Sequence, residues 1–261
     1  GSVEQSVNAG FSVTRINQVE YNHGGTRQKV LNMVDSGEYV VLMTQDAILS
    51  TSDSIKNILK PFENEEVAAV CGRQLPRPNA GAIEAHSRLY NYPDQSSVKT
   101  FEDRKTHGMK AAFLSNSFAA YRVSSLNEVG GFPEDVIFGE DMYVAAKLLK
   151  ASYKIAYTAD ACVYHSHSYT LFQEFKRYFD MGVFHARQPW IRKEFGGAEG
   201  QGTKFVESEI RYLKKYAFWK IPSALLRTMF RLAGYRFGLI EKWLPAYLKQ
   251  YMTMNPTYFG N

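Results

Sequence analysis

Cysteine is scarce. Cys71 and Cys162 are the only two in 261 residues; they lie far apart and form no CxxC or similar spacing. A disulfide framework and a cysteine-based zinc site are therefore excluded, and a reducing compartment is the expectation. Long apolar runs are also missing. After Phe205 every hydrophobic stretch is interrupted by Arg or Lys, so none reads as a membrane span, and no signal peptide is visible. The chain lacks both a GxxxxGK[ST] P-loop and a GxGxxG dinucleotide fingerprint. Acidic residues thin out towards the end: from Lys204 onward ten Lys/Arg face three Asp/Glu, whereas the rest holds 21 against 23. The net charge of +5 is thus a property of the tail. No nucleic-acid module accompanies that basicity, which argues against a nucleic-acid partner.

What is present suits a packed core. Hydrophobic residues make up 45% of the chain, with 17 Tyr, 17 Phe and 3 Trp, enough for one large ordered domain or one plus an appendage. Ser12 to Val19 reads as a strand and Thr26 to Ser36 as a helix capped by Thr26. Glu38 to Thr44 is a short continuous apolar run, the pattern of a strand covered on both faces. A helix near Ser54 to Phe62 and a strand over Val67 to Gly72 follow. This βαβαβ order predicts an α/β fold with a mainly parallel sheet flanked by helices. Phe113 to Arg122 reads as a strand, Ser124 to Val129 as a short helix and Gly139 to Leu149 as another. Lys154 to Tyr157 and Ala161 to Tyr164 read as edge strands. Beyond Leu171 the pattern is helical and amphipathic. The expected division is a sheet domain over 3–170 and a basic helical region over 171–261.

Four clusters can carry chemistry. Asp46 follows a buried strand, where parallel sheets bind ligands, and a carboxylate there can hold a divalent cation against a diphosphate; it can equally cap a turn. Glu140 and Asp141 open a helix, either as caps favoured by the dipole or as a general base. His165 and His167 end a strand and project to one side, as metal ligands or as a hydrogen-bonded surface pair. Asn22-His23-Gly24-Gly25-Thr26-Arg27 places a Gly pair before a helix, a phosphate approach or a plain turn.

Taken in order, these motifs resemble family 2 glycosyltransferases of the GT-A fold. The match runs through the Gly-Gly-Thr-Arg loop, Thr44-Gln45-Asp46-Ala47, Val129-Gly130-Gly131-Phe132, Gly139-Glu140-Asp141 and Val163-Tyr164-His165. His165-Ser166-His167-Ser168, Phe175 to Phe179, Gly234 to Gly238 and Leu244-Pro245 make it similar to bacterial rhamnosyltransferases of O-antigen and related surface polysaccharides. The resemblance implies an inverting transfer of a sugar, L-rhamnose from dTDP-rhamnose, to a hydroxyl of a lipid-linked glycan. It implies Asp141 as catalytic base with Glu140 beside it, and Mg²⁺ or Mn²⁺ held by Asp46 with His165 or His167. Asp46, Gln45, Arg27, Gly24, Gly25 and His23 would face the donor. Two departures stand out. Thr44 occupies the place of the first acid of the family's DxD-type motif, and nothing before Val3 matches the family's nucleotide-base-binding front. An N-terminally truncated domain, inactive as it stands, is therefore one expectation. A UDP-hexose transferase and a non-catalytic glycan- or partner-binding domain are the alternatives. The basic, aromatic tail implies a protein in the cytoplasm, peripheral to the inner membrane and held by anionic lipid.

Overall fold

The structure is a computed structural model in which residues 1–18, 20–33, 37–196 and 200–260 are described. Helices α1 (Ser2–Asn8) and α2 (His23–Leu31) precede strands β1 (Tyr39–Met43) and β2 (Ile48–Leu49). Helix α3 (Ser54–Leu59), β3 (Val67–Leu75), α4 (Ala82–Asn91), β4 (Ser97–Lys99) and α5 (Arg104–His107) follow. Then come β5 (Phe118–Arg122), α6 (Val123–Glu128), α7 (Glu140–Lys150) and β6 (Lys154–Tyr164). The remainder is helical: α8 (Leu171–Arg187), α9 (Pro189–Phe195), α10 (Gln201–Tyr216), α11 (Ile221–Leu239) and α12 (Ala246–Met252). No strand occurs beyond β6 among the described residues, as the tail pattern predicted.

The α/β architecture agrees with expectation, but the mainly parallel sheet does not. The strand order is β1-β5-β3-β6-β2, with β4 also on β6. Only β3–β6 is parallel; β1–β5, β3–β5, β2–β6 and β4–β6 are antiparallel. The βαβ reading was right about direction, since β1 and β3 both run antiparallel to β5 and so run the same way. What local periodicity could not show is that β5, arriving from later in the chain, fills the gap between them. β1 therefore ends the described sheet, half-buried where full cover was expected.

Other differences have local causes. Residues 12–18 form no strand, and Val19 lies outside the described residues. Helix α2 starts three residues before Thr26, because Asn22 caps it by accepting from the Gly25 N–H at 2.5 Å; the expected end at Ser36 lies outside the described residues. The two expected edge strands are one central strand, β6. Its pairing with β3 jumps from Gly72↔Thr158 to Arg73↔Cys162, a bulge that absorbs the polar Asp160 and resumes the ladder.

The main apolar cluster lies on one sheet face and joins Tyr121, Leu126, Val144, Leu148, Leu149 and Ile155 to Phe175, Phe179, Val183 and Ile191. It therefore runs across residue 170, and α8 and α9 share the sheet domain's core. A second cluster, including Ile58, Phe62, Val70, Phe118 and Val163, packs on the other face.

Candidate active site

Because β1, β3 and β6 run in one direction, their carboxyl ends meet at one edge of the sheet. The antiparallel β5 begins at that same edge. One place thus receives Asp46 after β1, Arg77 after β3, His165 and His167 after β6, and residues 115–117 leading into β5. Two backbone bonds pin these loops together: Thr44 N–H to Ser117 C=O at 3.3 Å and His165 N–H to Leu75 C=O at 3.0 Å.

Asp46 lies between two imidazoles. His165 Nε2 is 3.4 Å from Asp46 Oδ1 and His167 Nε2 is 3.6 Å from Oδ2. The three ligand atoms fall within 4.8 Å of one another. Burial lowers the pKa of His165 to about 4, with Arg88 adding to the effect, and burial also lowers that of His167. Both rings are therefore neutral at physiological pH, the state that binds metal. Burial is the largest single influence on Asp46 and works against its ionisation, yet His165, Thr44 and His167 together hold the carboxyl below its ordinary range.

The tautomer of His165 follows from its partners. Gln74, only 1% exposed, places Oε1 2.8 Å from His165 Nδ1, and the same oxygen accepts from Arg88 at 2.8 Å. Arginine only donates, so the atom it faces is the amide oxygen. Nδ1 must then carry the proton, which leaves the Nε2 lone pair aimed at Asp46. This is how metal-binding histidines are oriented elsewhere. Two neutral imidazoles and one carboxylate fit a divalent first-row transition ion better than Mg²⁺, which favours an all-oxygen shell.

The hydrogen-bond chain continues. Gln74 Nε2 donates to Ser115 Oγ at 3.0 Å. The next residue, Asn116, donates its backbone N–H to Asp141 Oδ2 at 3.3 Å and its side-chain amide to Glu140 Oε1 at 3.1 Å. Tyr121 fixes that amide by donating its hydroxyl to Asn116 Oδ1 at 2.6 Å. Asp46 and Asp141, distant in sequence, are thereby ends of one connected polar path.

The two acids of α7 differ in character. Glu140 is 5% exposed, and its carboxylate meets Arg27 at 2.9 Å. Asp141 keeps partial solvent access and accepts from the Met142 N–H at 2.8 Å. Burial, reinforced by the Glu140 charge, raises its pKa to about 7, the range suited to a general base at neutral pH.

The Asn22–Arg27 segment opens α2 and packs it against the loop before α7. A Cβ on Gly24 would stand 1.7 Å from the Pro133 carbonyl oxygen, so only glycine lets α2 approach the loop before α7. The Gly25 N–H is taken by the Asn22 cap, and Arg27 also donates to the His23 carbonyl at 2.9 Å. The Tyr21 hydroxyl lies 3.1 Å from His23 Nδ1. Gln45 is exposed on the turn beside Asp46.

Sequence reasoning missed Arg77, Gln74 and Asn116. Arg77 donates to the Asp46 carbonyl at 2.6 Å and approaches its carboxylate at 3.8 Å. Its signal was present: a cation between two prolines directly after a strand. Gln74 gave no comparable signal, because the strand read from the sequence stopped at Gly72 whereas β3 runs on to Leu75.

An α/β sheet with a polar cluster at its strand ends suits a glycosyltransferase, and comparison with known proteins agrees. The profile described as "Glycosyltransferase like family 2" matches residues 2–179, and the chain belongs to that family; it is a glycosyltransferase. It is 48% identical over 246 residues to the O-antigen chain rhamnosyltransferase WbaN of Salmonella anatum, covering 94% of this chain and 78% of that protein. It is 47% identical over 251 residues to O-antigen chain rhamnosyltransferase RfbN of Salmonella typhimurium, covering 96% and 80%. Among solved structures, the mannosyltransferase PcManGT from Pyrobaculum calidifontis, in complex with GDP-Man and Mn²⁺, superposes with a TM-score of 0.53 at 17% identity, over 85% of this chain and 67% of that one. S. aureus TarS gives 0.51 at 14% identity, over 91% and 46%. These structures support the GT-A fold.

Proposed function

We propose that the chain transfers L-rhamnose from dTDP-rhamnose, with inversion, to a hydroxyl of a lipid-linked glycan in surface-polysaccharide synthesis, at the cytoplasmic face of the inner membrane. The polar path joining the Asp46 cluster to Asp141 carries this reading, because transfer needs leaving-group and base functions on either side of one anomeric carbon. The curated relatives supply the sugar.

The acceptor hydroxyl approaches Asp141, which takes its proton. The acceptor oxygen bonds to the anomeric carbon as the bond from that carbon to the diphosphate oxygen breaks, and the electron pair leaves with the nucleotide. Attack opposite the leaving group inverts the centre. Asp46, His165 and His167 would hold a divalent transition cation such as Mn²⁺, which would supply positive charge against the diphosphate. Arg77 adds a fixed cation beside it. Glu140 and Arg27 neutralise each other and hold α2 against α7, so their part is to position Asp141. Gln45 and the first residues of α2, His23 to Gly25, stand on the donor side.

The test is transfer from dTDP-rhamnose, UDP-hexoses and GDP-mannose to a lipid-linked acceptor, with the anomeric configuration of the product read by NMR. Rhamnose incorporation with inversion is the expected result. Preference for a UDP-hexose would move the donor assignment, and nucleotide-sugar binding without transfer would favour a binding domain.

A further inference from the structure

Helix α11 is built inside out. The side packed on α8 carries Gly234 and Gly238 together with Arg227 and Arg231, whose side chains are 21% and 13% exposed and pair with the buried Glu174. The outward side carries Leu225, Leu226, Met229 and Leu232, and Ile240 follows just past its end, at 41–66% exposure. These positions recur at three- and four-residue spacing and form one stripe. Trp219 and Trp243, 64% and 77% exposed, stand at its two ends. A water-facing helix has the opposite arrangement, and an apolar strip of roughly 20 Å at the helical rise calls for a cover.

The surrounding charge identifies the cover. Lys214, Lys215 and Lys220 lie exposed at one end, Arg236 within the stripe and Lys242 at the other end. From residue 210 onward the chain has a single acid, Glu241, and it is buried. A second copy of this chain would set cation against cation. An anionic leaflet satisfies both features: its acyl region takes the Leu and Met side chains, its headgroups take the lysines, and tryptophan is suited to the boundary.

We propose that the outer face of α11, with the Phe218–Lys220 and Glu241–Trp243 turns, is an in-plane insertion surface for an anionic bilayer. It rests on the lipid-linked acceptor reading for its purpose and deepens it by naming the surface. No described helix is long and apolar enough to cross a membrane, so the insertion is shallow. Salt weakens the contribution of the lysines, and the apolar stripe means that it does not abolish binding.

The experiment uses the full chain carrying Trp190→Phe, so that Trp219 and Trp243 report. Phosphatidylglycerol-containing vesicles should shift their emission to the blue and sediment the protein, retaining part of it at high salt. The combined Leu225→Gln, Met229→Gln, Leu232→Gln variant should lose about tenfold or more in vesicle partitioning, since each side chain removes part of its transfer free energy, with an unchanged unfolding transition. Lys214→Gln, Lys215→Gln, Lys220→Gln should lower binding to anionic vesicles and leave weak binding to phosphatidylcholine alone. An unmoved tryptophan spectrum, a glutamine variant that binds like the parent, or a dimer that this variant splits would each overturn the proposal. Vesicle binding without sugar transfer would leave the surface standing and remove only the acceptor reading; transfer to a soluble acceptor without vesicle binding would do the reverse.

Discussion

The sheet edge and the tail helices treat charge in opposite ways. At the edge, ionisable groups gather where the core ends, and the outer ones keep a route to solvent or ligand: Asp46 is 27% and His167 35% exposed at the side chain. In the tail, the charges that face neighbouring helices are drawn inward. Glu174 is buried between Arg227 and Arg231 of α11, and Glu209, 1% exposed, has its pKa raised to about 7 by burial. The difference teaches what each region is arranged for. Chemistry needs polar groups at an accessible rim. A helix that leaves its apolar side outward has its neighbours' side left for its charges, the arrangement that the proposed insertion surface needs.

The sharpest way to break the comparison is at Asp141. Asp141→Asn should lower turnover by about two to four orders of magnitude, the span for loss of a general base, while nucleotide-sugar binding persists; unchanged turnover would remove Asp141 from the role. Next comes the link between the two halves of the cleft. Gln74→Leu deprives the His165 Nδ1–H of its acceptor and should weaken Mn²⁺ binding by about 10–100-fold in calorimetric titration, whereas Gln74→Glu, which keeps an acceptor, should restore most of it. Equal affinities in all three proteins would show that Gln74 does not orient the ligand.

The tail offers a smaller, purely structural test. A Cβ on Gly238 would lie 2.1 Å from the Phe179 carbonyl oxygen, while one on Gly202 meets nothing within 4 Å. Gly238→Ala should cost about 1–3 kcal/mol through overpacking, seen as a lowered thermal midpoint. Gly202→Ala, inside α10, should be neutral or slightly stabilising, by up to about 1 kcal/mol.

The last test concerns pH. Asp141 must be ionised to accept a proton, so the rate should rise as pH rises through about 7. Stability runs the other way. The folded pKa of Asp141 is raised above its ordinary value, so its contribution is fully present below the ordinary carboxylate range and is lost as pH rises through about 7. Glu209, raised to about 7, and Asp180, raised to about 6, act in the same direction. His86, His165 and His185, lowered to about 4 by burial, act in the opposite direction below their ordinary pKa, so the test is a difference: from pH 5 to 8 the midpoint of Asp141→Asn should gain on the parent's as pH rises, while the parent's activity climbs. A midpoint difference that stays constant over this range would contradict a raised Asp141.

Much of the site was legible because its residues follow strand ends. Asp46, His165 and His167 stand where apolar runs stop, and such positions collect at a sheet edge. Glu140 and Asp141 announced a helix start. The distinction between them was not legible, since adjacent acids look alike until Arg27 is seen to occupy one. Asn116 was hidden inside what read as one strand from Phe113 to Arg122, although the polar Ser115-Asn116-Ser117 interrupts its apolar residues where the backbone turns before β5. Gly24 and Gly25 suggested a phosphate loop because glycine permits close approach of any partner; the partner for Gly24 is the Pro133 carbonyl.

By itself, the sequence determined the alternation of apolar runs and helical faces, the order of the motifs, and the concentration of positive charge after Lys204, because these depend on local spacing and composition. Only the tertiary structure decided that β5 enters antiparallel between β1 and β3, that Gln74 ties His165 to the loop holding Asp141, and that the leucines of α11 face outward. Those facts depend on contacts between residues far apart in the chain. Side-chain periodicity says that a helix has two faces, but it is the close approach of Gly234 and Gly238 to α8 that selects which one is left exposed.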